Sequence, residues 1–242
     1  ARQGHGTGWQ DAGCDWQEAN SHGACVIGLA DLLLLAGDRL GADRERVAAQ
    51  VRTGLKLLDR LQDAAAGGAL VHELVRAPAR NLARDALWAA LAWARAARAL
   101  GGAEAGAWRD RARRALSWWR VSPIGTAGMD PAAHAWEAGY APPAEHPVID
   151  LAMAAWAAAE LGEADAAALA GRVCDLQAPA DGGAVHGFFW QFSDRRHPAC
   201  VWTHNMIGPD TGDTGLTPAF CLAMVLRLLP GHAEAARWRE AL

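Results

Sequence analysis

The chain has 242 residues, 52% of them hydrophobic, with 23 basic and 27 acidic side chains and a net charge of −4. That is enough apolar material for one sizeable core, and charge this balanced, with no basic block, leaves no electrostatic footprint for nucleic acid. No apolar stretch reaches the roughly 18 residues that read as a membrane span, no signal peptide is visible, and five cysteines without tight spacing are not a disulfide framework.

In chain order, the hydrophobic periodicity predicts four pairs of helices. The first pair covers Ser21–Ala36 and Asp43–Asp63. In its second helix Val47, Val51, Leu55, Leu58 and Leu61 recur at spacings of three and four, which makes one face apolar. The second pair covers Asn81–Leu100 and Glu104–Arg120, the third Pro147–Leu161 and Ala164–Leu176, and the fourth Thr217–Leu229 and Ala233–Leu242. Breaks inside a pair are short and carry glycine, as in "LGGAE" and "LGEAD"; connections between pairs are long. Two of those connections are nearly the same text, "LQDAAAGGALVH" from Leu61 and "LQAPADGGAVH" from Leu176, which reads as an internal repeat. Short extended pieces are expected near residues 69–74 and 185–192. The expected architecture is therefore all-α, one domain over residues 1–242. It is an α/α toroid, that is, an incomplete or compact barrel of repeated helical hairpins, with the first helix of each pair inside.

The long connections collect the chemistry. Eight of the nine histidines fall in or beside them, among them His22, His72 and His204, as do Trp9, Trp16, Trp136, Trp190 and Trp202. An exposed tryptophan wastes apolar surface unless something stacks on it, and the apolar faces of sugar rings suit that. His197, Cys200 and His204 have spacings that zinc ligands use, but no second Cys/His pair accompanies them and no metal is expected. Arg195 and Arg196 could meet an acidic group as well as solvent.

The segment "GWQDAG" at Gly8–Gly13, followed by "LADLLLLAG", resembles the Gly-Trp-x-Asp-Ala-Gly-Asp signature near the start of glycoside hydrolase family 9 catalytic domains. Residues 51–74 are similar to that family's helix and Gly-Gly-x-x-His turn, and the alanine-rich pair that follows resembles its next hairpin. The resemblance covers residues 6–176. It implies a ring of helix pairs and an inverting hydrolase acting on an oligo- or polysaccharide without a cofactor, secreted or periplasmic. Inversion needs two carboxyl groups about 6.5–9.5 Å apart, one drawing a proton from water and one delivering a proton to the leaving oxygen.

Position by position, Asp11 matches the family's first aspartate, the second falls on Cys14, and Asp15 is one residue late. "GPDTGDTGLTPAF" has no glutamate where the family carries its acid, so Glu137 (beside Trp136 and near Tyr140), Glu18 or Asp213 must serve. The implied catalytic set is Asp11, Asp15, Glu137 and Asp213. The implied sugar contacts are Trp9, Trp16, His22, Trp136, Tyr140, Trp190, Trp202 and His204. "PDTGDTG", residues 209–215, is also similar to the Asp-x-Asp-Asp-Thr motif of class II terpene cyclases, with Gly212 in place of the proton-donating aspartate. A prenyl substrate, or a non-catalytic glycan-binding toroid, is the alternative.

Overall fold

The structure, a computed structural model, describes residues 8–9, 17–74, 83–121, 145–178, 189–190, 193 and 218–242. Among these the protein is all-α, with 74% of them in helix. They form no strand; where extended pieces were expected, Gln177 and Phe189 make an isolated antiparallel bridge.

The helices come as hairpins, each bound within two residues of the periodicity. The first is α1 (Ala19–Ala36) and α2 (Asp43–Asp63), joined through a 3-10 turn at Gly37–Arg39; the second is α3 (Ala83–Leu100) and α4 (Glu104–Val121). The third is α5 (Val148–Leu161) and α6 (Ala166–Asp175), the fourth α7 (Pro218–Leu228) and α8 (Ala235–Glu240).

The chain divides into two compact units, Ala1–Ser122 and Pro123–Leu242. In the first, α1 packs on α2 and α3, and α3 on α4. In the second, α5 packs on α6 and α7, and α8 on α6 and α7. Within each unit the leading helix of one hairpin thus lies against the leading helix of the next. Composition dictates this. α3 and α5 are Ala, Leu, Met and Trp around nearly the whole circumference and are buried almost throughout, as a helix apolar on every side must be. α2 and α4 bury only a stripe, Val51, Leu55, Leu58 and Leu61 in one and Trp108, Ala112, Leu116 and Trp119 in the other.

α1 with its 3-10 turn is long and apolar enough to cross a membrane, at a mean hydropathy of 1.4, which differs from the reading of the bare sequence. Here Val26, Ile27, Ala30 and Leu33 are buried, and Asp31 takes the guanidinium of Arg95 from α3. Leu32 and Leu35 stay exposed, Leu32 in a groove that it lines with Leu29, Leu40 and Val47.

The leucine that opens each copy of the textual repeat accepts a bond from the returning chain, from within the copy at Val71 and from beyond its end at Trp190. After α2 the chain returns so that the Val71 N–H donates to the Leu61 carbonyl at 3.2 Å; after α6 the Trp190 N–H donates to the Leu176 carbonyl at 2.6 Å. The glutamine that follows each leucine reaches the trailing helix of the next hairpin. Gln62 Nε2 donates to the Arg111 carbonyl in α4 at 3.1 Å, and Gln177 Nε2 to the Ala241 carbonyl just past α8 at 2.9 Å. An arginine answers from that trailing helix in both units: Arg111 pairs with Asp59 and Asp63, and Arg237 with Asp175. Each unit therefore ties one hairpin to the next with the same two devices, a glutamine and an arginine.

Candidate functional site

The Gly-Trp of the N-terminal motif sits in a slot between α1 and α2. The Trp9 ring stacks on His22 of α1, with centroids 5.4 Å apart and planes 15° from parallel, and its Nε1 donates to Gln50 Oε1 of α2 at 2.9 Å. The slot exists because two positions lack side chains. A Cβ on Gly54 would stand 2.7 Å from the Trp9 ring edge, and one on Gly8 would stand 2.6 Å from His22 Nε2; Gly8 also has φ +76°. His22 is wholly enclosed in this arrangement. Its Nδ1 faces the Glu18 carbonyl at 2.8 Å and so carries the proton, while Nε2 accepts the Trp9 N–H at 2.8 Å. Both ring nitrogens are spent on backbone, and the tautomer is fixed by them.

Four residues before His22 stands Glu18, the N-cap residue of α1, with no side-chain capping bond. Its Oε1 lies 3.5 Å from His72 Nε2, and the other ring nitrogen, Nδ1, lies 2.8 Å from Asp85 Oδ2 in the first turn of α3. The backbone is tied at the same place, Ala19 N–H donating to the His72 carbonyl at 3.1 Å. Burial by itself would lower the His72 pKa, but the Asp85 charge, its hydrogen bond and then Glu18 outweigh that and push the ring up to about 10. His72 is therefore an imidazolium near neutral pH, held between two carboxylates. Exposure is graded along the chain of contacts: the side chains of Asp85, His72 and Glu18 are 2%, 7% and 14% exposed. Glu73, next in sequence to His72, is also buried. Among the described residues no group of three or more His, Cys, Asp or Glu is placed to hold a metal ion.

Of the residues singled out from sequence, Trp9 and His22 meet each other. Trp190 is half-buried in the second unit, where its backbone closes the turn on Leu176. Asp11, Asp15, Trp16, Trp136, Glu137, Tyr140, Trp202, His204 and Asp213 lie outside the described residues. His72 and Asp85 are joined by no motif in the sequence. One clue was available: Asp85 is the single acid in a helix of Ala, Leu, Trp and Arg with almost no solvent face, and a carboxylate so placed must find a partner.

No known protein family, curated protein or solved structure matches the chain.

Proposed function

We propose that the protein is a carbohydrate-active enzyme, a glycoside hydrolase related to family 9. In this reading its hairpins build an α/α toroid, and two carboxyl groups cleave an oligo- or polysaccharide with inversion. The repeated Leu-Gln turn bonds support a stacked-hairpin architecture. The observation that most supports the activity is the seating of the motif. The short segment carrying Asp11 and Asp15 runs from Trp9, fixed against His22, to Gln17 and Glu18 at the start of α1, next to His72 and Asp85. A helix N-terminus stabilises the anionic form of carboxylates near it, which suits a base.

Asp11 and Asp15 hold and activate the water in this proposal, and Glu137 or Asp213 protonates the leaving oxygen. Trp16, Trp136, Trp190 and Trp202 supply stacking surface. Trp9, with its ring on His22, acts by seating the loop. The test is release of reducing ends from a panel of soluble glucans and xylans, with product anomers read by NMR. Asp11→Asn and Asp15→Asn should each slow turnover by roughly 10²–10⁴-fold with the melting temperature little changed. Full turnover in both variants would sink the mechanism. A prenyl diphosphate that raises the melting temperature where no sugar does would favour the cyclase reading instead.

A further inference from the structure

We propose that the outer face of α1 is a self-association surface, on which a second copy of the chain docks to form a two-fold dimer, α1 against α1. Val26, Ile27, Ala30 and Leu33 share one side of the helix and are buried, and α1 is packed on α2 and α3. Cys25, Gly28, Leu32 and Leu35, three or four residues apart, return on the opposite side, where Leu32 is 39% and Leu35 53% exposed. No charged residue stands among them; Asp31, the one acid of α1, is taken by Arg95 of α3. A stack of hairpins that ends in water closes on a polar outer face, and this one is apolar.

Two features single out a second copy as the occupant. First, the surface holds both halves of a joint. Leu32 and Leu35 form a ridge, and beside it runs the groove walled by Leu29 of α1, Leu40 of the connecting turn and Val47 of α2. A ridge and a groove on one face let each copy give its ridge to the other's groove, as a two-fold contact requires. Second, the charges at the edge are self-complementary. Asp43 and Arg46 of α2 line the same groove, 2.8 Å apart, with side chains 63% and 84% exposed. Under a two-fold, the acid of each copy faces the base of the other without net repulsion. A lipid surface fits less well: it calls for an excess of Lys and Arg along the edge, and here the two signs cancel.

The experiment is sedimentation velocity of the full chain from about 1 to 200 µM, the range suited to a small interface. The mass should rise with concentration from 25.6 kDa toward twice that value. Leu32→Glu should weaken self-association about tenfold or more, because the dimer would bury an unpaired charge. Position 32 is exposed in the single chain, so the melting temperature at the dilute end should match the wild type. Should this variant fail to fold, Leu35→Glu serves in its place. Asp43→Arg and Arg46→Asp should each weaken self-association. Mixed together they should pair with one another, since one then offers two bases and the other two acids.

A wild type that keeps the mass of one chain throughout overturns the proposal. A dimer that survives both Leu32→Glu and Leu35→Glu overturns it by placing the contact elsewhere, and charge variants that show no preference for each other overturn it as well. A chain that stays single and sediments with vesicles of phosphatidylcholine and phosphatidylglycerol overturns it in favour of a lipid surface.

Discussion

His72 is the residue at which charge, burial and position meet, and it sets a pH dependence whose sign can be worked out. In the unfolded chain the ring titrates near 6.5; in the folded protein, with Asp85 and Glu18 outweighing burial, near 10. Below the lower value both states hold the proton and the whole stabilisation is present. Between the two values the folded state keeps a proton that the unfolded state has lost, so stability falls as pH rises, and the contribution is gone once the folded ring titrates. Denaturant unfolding followed from pH 6 to 10 should show this decline in the wild type and a flatter profile in His72→Gln. A wild-type profile as flat as the variant's would mean that the ring is not held as described. A second residue-scale prediction concerns the seat of Trp9. Gly54→Ala forces a methyl against the Trp9 ring edge and Val26, and overpacking of this kind costs about 1–3 kcal/mol. Because the displaced ring is the one that fixes the motif, turnover of the proposed hydrolase should fall with stability. Gly28→Ala on α1, where a Cβ meets nothing within 4 Å, is the control; it should leave turnover unchanged and raise stability by about 0.5–1 kcal/mol.

At the scale of elements, the helix pairs were readable because their periodicity is local: three- and four-residue spacings and glycine breaks need no knowledge of the partner. The internal repeat was readable as text, and its meaning appeared only with the bonds that Gln62 and Gln177 make to the following hairpin. Those bonds lead to a prediction. Gln62 is buried, with Nε2 donating to α4 and Oε1 accepting from Arg111 and Arg114 at 3.2 Å each. Gln62→Ala leaves the Arg111 carbonyl without its side-chain donor, while the Arg111 guanidinium keeps Asp59 and Asp63 and that of Arg114 turns to solvent, and should cost about 1–3 kcal/mol. Gln177→Ala removes the bond to the Ala241 carbonyl and should cost less, with the same sign, because among the described residues no guanidinium is bonded to it in the way Arg111 and Arg114 are to Gln62. Urea unfolding of the two variants settles the order; a larger loss at Gln177 would break the equivalence claimed for the two turns. The triad was illegible for the converse reason. Its members, Glu18, His72 and Asp85, come from just before α1, the turn after α2 and the first turn of α3, and no local pattern links Glu18 to a histidine beyond the far end of its hairpin.

At the scale of the whole molecule, protection of the backbone should follow the division between leading and trailing helices. α3 and α5 are buried nearly all round, their alanines letting neighbours approach closely and their tryptophans, Trp88, Trp93 and Trp156, filling the space. An amide in either helix reaches water only when the unit around it opens, so its exchange reports the largest opening free energy of that unit. α8 is the opposite case. It has six residues, buries Ala235 and Trp238 and exposes most of the rest, and a helix this short has few bonds that do not lie at an end. Its amides should exchange by local fraying, orders of magnitude faster than those of α5 in the same unit. α1 should fall between, because one of its faces is packed on α2 and α3 while Leu32 and Leu35 remain in solvent. Native-state hydrogen exchange followed by mass spectrometry checks the ranking directly. Amides of α8 that outlast those of α5 would show that the leading helices are not the cores of their units. The hairpin logic on which the proposed toroid depends would then fail with them.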